Sequence, residues 1–144
     1  MLRTTCFGFA IALSACGGTS STPRATTPLV VTSADLRPGA DGQPALIAPS
    51  RLEMHRLRGE KIITPDDDTK HAVAKSRLRL VGTFKLCLDT SGQPTSVDML
   101  QSTGVASYDQ RILNEMRRWA FTPVVLDGKP IPICTAVTFI FTAR

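Results

Sequence analysis

Residues 83–101 read TFKLCLDTSGQPTSVDMLQ, and this stretch predicts a β-hairpin. Every second residue from Phe84 to Leu88 is apolar, so these side chains share one face of a strand and cover a core, while the residues between them face water. Residues 89–94 are dense in turn formers. Apolar residues then return within 95–101, which predicts the second strand of the hairpin.

A helix is predicted after the hairpin. Ser107, with Gln110 three residues later, has the form of a capping box that opens a helix. Apolar residues follow at helical spacing, and polar residues occupy the other faces. The apolar stripe consists of Tyr108, Ile112, Leu113, Met116 and Trp119. We expect it to pack on the sheet, and a cofactor or partner surface is the alternative interpretation.

The last strand is predicted over Ile133 to Thr142, after the turn former Asp127-Gly128-Lys129-Pro130. Its residues divide between two faces by parity. One face carries Thr135, Val137, Phe139 and Phe141, and the other carries Cys134, Ala136, Thr138 and Ile140. The sequence therefore predicts an α+β, two-layer β-β-α-β fold, with a three-stranded antiparallel sheet and one helix on a face.

A lead-in helix is predicted from Pro65 to Arg77. Thr64 stands at the cap position, proline fits the first helical position, and carboxylates follow close to the positive helix end. The carboxylates at 66–68 do not predict a metal site, because consecutive helical positions point in different directions.

The N-terminus has the pattern of an export signal. Arg3 precedes a short apolar stretch that ends in Leu13-Ser14-Ala15-Cys16. This resembles the lipobox of bacterial lipoproteins, which implies cleavage before Cys16, acylation of that residue and firm membrane attachment. A plain secretory signal is the alternative. Gly17, where an aspartate would retain a lipoprotein at the inner membrane, favours the periplasmic face of the outer membrane.

Composition divides the chain into four parts. Residues 1–15 are the expected signal peptide, and 16–34 a flexible tether that begins with Gly, Ser, Thr and Pro. Residues 35–63 are punctuated by Pro and Gly and are expected to form an extended arm with local turns and an unknown role. The folded domain is expected over 64–144.

Two cysteines remain after export and acylation. Cys6 leaves with the signal and Cys16 is acylated, so Cys87 and Cys134 are expected to form a disulfide in an oxidising compartment. Both lie on the outer faces of their strands. An antiparallel pairing that places them opposite each other also fixes two further pairs: Lys85 with Ala136, and Thr83 with Thr138.

The C-terminal half resembles the C-terminal domain of the TonB family over roughly Leu80 to Arg144. The resemblance is carried by Gly92, Asp109, Trp119-Ala120-Phe121-Thr122-Pro123, Gly128-Lys129-Pro130 and Val137-Thr138-Phe139-Ile140-Phe141. It implies that the helix packs on the sheet, that the first strand lies centrally and that the final strand is an edge.

The same resemblance implies protein binding in the cell envelope. In that family a short segment of an outer-membrane transporter adds to the edge strand. The implied binding strand consists of Thr135, Ala136, Val137, Thr138, Phe139, Ile140, Phe141 and Thr142. Energy transduction by this chain alone is not expected, because an acylated N-terminus would replace the family's inner-membrane helix, and the tether is short.

Other functions are less favoured by the residues. The net charge is +5, and a solvated basic surface is favoured over an anionic partner; an exported chain is not expected to meet nucleic acid. His55 and His71 lie in no nucleophile motif, and Cys87 and Cys134 are too far apart in sequence for a redox Cys-x-x-Cys, so neither an enzyme nor a metal or cofactor site is expected.

A structural or assembly lipoprotein that contacts cell-wall polymer or an envelope complex, with the edge as a homodimer seam, is the alternative function.

Overall fold

The computed structural model describes residues 27–40 and 42–142, and Cys16 with the expected signal peptide lies outside them. Three α-helices occur in this part of the chain: α1 (Pro49–Glu53), α2 (Asp67–Ser76) and α3 (Ala106–Met116). None of the three is long and apolar enough to cross a membrane. The strands are β1 (Leu29–Val31), β2 (Leu36–Arg37), β3 (Ala45–Ile47), β4 (Arg56–Arg58), β5 (Arg79–Leu88), β6 (Pro94–Gln101), β7 (Ala120–Phe121), β8 (Val124–Leu126), β9 (Lys129–Pro130) and β10 (Ile133–Thr142).

A five-stranded sheet has the order β2-β3-β10-β5-β6. β5 pairs antiparallel with β6 on one side and with β10 on the other, as predicted for the three longest strands. The predicted total of three strands is wrong, because β3 adds to β10 in parallel and β2 adds to β3. The chain is α+β, as expected.

The predicted hairpin turn is present between β5 and β6, and it packs against β7. The carboxylate of Asp89 accepts hydrogen bonds from the backbone N–H groups of Ser91 at 2.8 Å and Gln93 at 3.0 Å. The Ser91 hydroxyl and the Gln93 N–H lower the pKa of this carboxyl. Gly92 has a φ of +83°, and a Cβ there would lie 2.2 Å from the carbonyl oxygen of Phe121, so both its conformation and its neighbour require glycine.

The apolar stripe of α3 is core, as favoured from its spacing. Tyr108, Ile112 and Met116 are almost fully buried, and Phe84 and Leu86 of β5 belong to the same hydrophobic cluster. The helix ends at Met116, so the buried Trp119 follows the helix instead of belonging to it.

The predicted capping box is wrong. The N-cap residue of α3 is Val105, which makes no capping hydrogen bond through its side chain. Ser107 instead lies inside the first turn and donates its hydroxyl to the Asp66 carboxylate at 3.3 Å.

Asp109, which the helical pattern placed on a solvent face, is buried. Its carboxylate accepts from the N–H and the hydroxyl of Thr103, at 2.8 and 2.7 Å, and from the hydroxyl of Ser102 at 2.5 Å. Burial raises the pKa of Asp109, but these hydrogen bonds outweigh it and leave the pKa below its ordinary value. The Asp109 side chain thus fixes Ser102 and Thr103, which lie between β6 and α3, to the helix.

The lead-in helix α2 begins two residues after the predicted start at Pro65 and ends one residue before the predicted end at Arg77. Its cap is Asp66 instead of Thr64: the Asp66 carboxylate accepts the N–H of Thr69 at 2.8 Å. This N–H and the Thr69 side chain lower the pKa of Asp66.

The expectations of a flexible tether up to residue 34 and an extended arm over 35–63 do not hold for residues 29–58. β1 pairs in parallel with β8, and β4 pairs with β7. Leu29, Val31, Ile47 and Leu52 are buried in the main cluster. These apolar residues are isolated among turn formers in sequence, and they find their partners only in strands far along the chain.

Candidate strand-docking edge

β10 is the strand that the resemblance assigns to partner binding, and its two sides differ. One side pairs with β5 along the whole of Ile133–Thr142. On the other side, among the described residues, β3 pairs with only the first two residues of β10. The side chain of Thr135 then donates to the carbonyl of Ile47 at 2.9 Å. β10 is therefore an open edge only from Ala136 onward, where the expectation was an edge along its full length.

The disulfide between Cys87 and Cys134 is present and joins β5 to β10. Both residues are buried, although their faces were expected to meet water. The strand register that follows from this pairing is confirmed: Lys85 lies opposite Ala136, and Thr83 lies opposite Thr138. The hydroxyls of the two threonines are 3.1 Å apart.

The same cysteine pair indicates which backbone groups of β10 face the open side. Opposed residues in antiparallel strands have Cα atoms about 4.5 Å apart at non-hydrogen-bonded positions and about 5.5 Å apart at hydrogen-bonded ones. The Cα atoms of Cys87 and Cys134 are 4.0 Å apart, so this pair is non-hydrogen-bonded. The N–H and C=O of Cys134 therefore point away from β5, and those of every second residue after it do the same. These residues are Ala136, Thr138, Ile140 and Thr142.

A groove with a volume of ≈ 280 Å³ lies beside this open edge. Its lining residues come mainly from Val137–Phe141 of β10 and from the segment Lys61–Thr64 before α2. Ile62 in that segment is 79% exposed and Ile140 on β10 is 54% exposed. An extended peptide in the groove could therefore pair with the β10 backbone and cover apolar side chains at the same time.

Two long-range hydrogen bonds hold the segment before α2 in place. The phenol of Tyr108 donates to the carbonyl of Ile63 at 2.8 Å, and the indole N–H of Trp119 donates to the carbonyl of Glu60 at 3.1 Å. Burial raises the pKa of Tyr108. Because both donors belong to the core, the groove exists before a ligand arrives.

Arg56 also lines the groove, and its side chain is only 7% exposed. The guanidinium lies 4.5 Å from the ring centre of Trp119 and pairs through Nη2 with the carboxylate of Glu53. Lys61 shares that carboxylate, with Nζ 3.3 Å from it. The Nη1 atom of Arg56 is buried and has no hydrogen-bond partner in the part of the chain that the structure describes. Arg56 is therefore an exception to the solvated basic surface that the composition favoured.

Protein TonB of Vibrio cholerae serotype O1 is 33% identical to this chain over 48 residues, which are 33% of this chain and 20% of that protein. One third of this chain is thus similar to a part of a TonB protein. The match spans one fifth of the length of that TonB, and no protein-family profile matches the chain. The solution structure of the Pseudomonas aeruginosa TonB C-terminal domain aligns with 60% of this chain and 83% of that chain, at 18% identity and a TM-score of 0.45.

Proposed function

We propose that this chain is a non-enzymatic, lipid-anchored protein of the cell envelope whose TonB-like domain binds an extended segment of another envelope protein. The segment adds to β10 as a new strand along Ala136–Thr142. An outer-membrane transporter is the partner class that the TonB likeness favours. The observation that carries the proposal is the open side of β10 beside a groove.

The composition of this edge supports the proposal. Open edge strands are usually protected by charged residues, proline or bulges, because unpaired backbone groups recruit other strands. Residues 136–142 read AVTFIFT and contain neither a charge nor a proline. They also pair with β5 without a break in register. An unprotected edge of this kind is suited to receiving a partner strand.

The membrane anchor is part of the proposal and has its own test. Acylation of Cys16 would hold the domain at the periplasmic face of the outer membrane, where partner segments are available. Metabolic labelling with a fatty-acid precursor is expected to mark the wild-type chain, and Cys16→Ser is expected to remove the label. An unlabelled wild-type chain would contradict the anchor without affecting the proposal for β10.

The docking edge is tested by Thr138→Pro. The N–H of Thr138 points to the open side, so proline removes a donor that a guest strand needs but that the β5 ladder does not use. Thr138→Val is the matched control, because it changes the side chain and keeps the N–H. A photo-reactive amino acid at Ile140 in native envelopes captures whatever lies on the edge.

We expect one defined crosslinked partner with the wild type and with Thr138→Val, and its loss with Thr138→Pro. In the captured complex, the backbone amides of Ala136, Thr138 and Ile140 are expected to exchange hydrogen more slowly. Equal crosslinking by all three proteins, or unchanged exchange, would rule out strand addition. Crosslinks only to a second copy of the chain would favour the homodimer seam.

A structural or assembly role in contact with anionic cell-wall polymer is the alternative, and one surface favours it. A cavity of ≈ 630 Å³ is lined by Arg58, Arg117 and Arg118 together with Glu60 and Glu115. Three guanidiniums against two carboxylates leave a positive site. If Arg117→Glu abolishes sedimentation with isolated cell wall and leaves crosslinking from β10 unchanged, the polymer contact is a separate activity of the protein.

A further inference from the structure

The groove beside β10 contains a cation with unused hydrogen-bonding capacity. We infer that the strand that adds to β10 carries an aspartate or glutamate whose carboxylate pairs with Arg56. This inference rests on the proposed function, since it specifies the chemistry of the segment that the edge receives.

The first argument is the state of the Arg56 side chain. A buried guanidinium is costly unless its N–H groups are satisfied. Nη2 is satisfied by Glu53, but Nη1 has no acceptor among the described residues and almost no contact with solvent. Side-chain rotamers at interfaces commonly adjust on binding, so a ligand acceptor in the groove can reach Nη1 after a small rotation.

The second argument is the charge balance of the groove. Among its lining residues, the carboxylate of Glu53 faces the cations of Arg56 and Lys61. Tyr108, the remaining ionisable side chain in the lining, is neutral at pH 7, because the ordinary pKa of a phenol is about 10 and burial raises it further. One carboxylate against two cations leaves one positive charge without a counterion. An acidic guest side chain supplies that counterion, whereas a basic one adds repulsion.

The third argument is that packing confines the Arg56 guanidinium to the groove and leaves it only small rotations. Its guanidinium packs on Trp119, and the indole of Trp119 is itself fixed by its bond to Glu60. A guanidinium held in this way presents a planar fork of N–H groups that matches a carboxylate in geometry as well as charge. Lys61, whose side chain is 70% exposed, offers only a mobile point charge.

A random nonapeptide library displayed on phage, selected against the full-length chain in detergent, provides the first test. We expect the wild type to select peptides of alternating apolar and polar residues with Asp or Glu enriched at one fixed position of the alternation. Arg56→Gln is expected to select the same alternation without the acidic position. Melting curves of both proteins establish that the variant is folded.

The second test uses one selected peptide and its Asp-to-Asn analogue as synthetic probes, with Kd measured by fluorescence polarisation. We expect the wild type to bind the acidic peptide roughly tenfold to a hundredfold more tightly than the analogue, as for a hydrogen bond to a charged group. Arg56→Gln is expected to bind both peptides within about twofold. Arg56→Lys keeps the charge, loses the fork and is expected to fall between these results.

Lys61→Gln is the matched control, because it removes a groove cation that is exposed and flexible. A charge at the rim mainly affects the rate of association, so this variant is expected to keep the preference for the acidic peptide. Glu53→Gln removes the carboxylate charge that competes for Arg56 and is expected to strengthen the preference.

The outcomes separate this inference from the proposed function. Selection of alternating peptides without an acidic position, or the same acidic preference in wild type and Arg56→Gln, would overturn the role of Arg56 and leave strand addition standing. If no extended peptide is selected and no amide of Ala136–Thr142 is protected, both proposals fail together.

Discussion

Replacing Cys87 and Cys134 together by alanine is expected to lower the free energy of unfolding by about 4 kcal/mol at 25 °C. The bond spans a sequence separation of 47 residues, and it therefore removes the entropy of a long loop from the unfolded chain. The expected change corresponds to a fall in Tm of about 15 °C for a domain of this size. The disulfide joins β10 to β5, on the side of β10 opposite its open edge. Partner binding at β10 is therefore expected to survive in the molecules that remain folded.

The measurement is urea unfolding followed by circular dichroism on three samples: oxidised wild type, wild type reduced by a thiol, and the double alanine variant. Both cysteines are buried, so serine would add the cost of two buried hydroxyls, and alanine is the cleaner substitution. Reduction alters the crosslink without changing a residue. Agreement between the reduced wild type and the variant would assign the loss to the crosslink.

Two results would refute this reasoning. A loss below about 1 kcal/mol in both the reduced wild type and the alanine variant would mean that the crosslink does not lower the entropy of the unfolded chain by the amount that the argument requires. A large loss in the alanine variant with no loss on reduction would assign the effect to the packing of the sulfurs instead of the crosslink.

Three further changes test the packing around the site. Gly92→Ala is expected to lower the free energy of unfolding in urea by at least about 1–2 kcal/mol, because the residue has positive φ and its new Cβ would meet the carbonyl of Phe121. Asp109→Ala is expected to cost about 1–3 kcal/mol at pH 7 by leaving buried donors unpaired. Since the pKa of Asp109 is depressed, its contribution is present above the unfolded pKa of about 4 and is lost as the pH falls through the folded value, so the wild type and variant are expected to converge in acid. Tyr108→Phe is expected to cost about 1 kcal/mol and to speed amide exchange in the segment around Ile63, whose carbonyl loses its donor.

The sheet strands that carry the edge could be predicted because their signals are local. Alternation defines β5 and β10 within ten residues each, and parity alone places Cys87 and Cys134 on matching faces. Once those two residues are opposed, the register of both strands follows without further information. The predicted bounds of β10 are the observed ones for the same reason.

The remainder of the site could not be predicted because its contacts join distant parts of the chain. Nothing near Arg56 indicates that it packs on Trp119, which lies 63 positions later. The segment with Ile47 looks like a loop until β10 supplies the strand that it pairs with. Ser107 has the form of a capping residue, but Asp109 two positions later binds the preceding loop through side-chain contacts that no spacing rule describes.

Because β3 is short, it limits the length of β10 that is open to a guest strand. β3 pairs with the beginning of the β10 edge that a guest strand would use, and this pairing stops after Cys134. Seven residues from Ala136 to Thr142 remain on the open edge. At about 3.3 Å per residue they span roughly 23 Å. A guest strand of that length would fill the open edge from end to end, and a longer guest would meet β3 at one end or extend past Thr142 at the other.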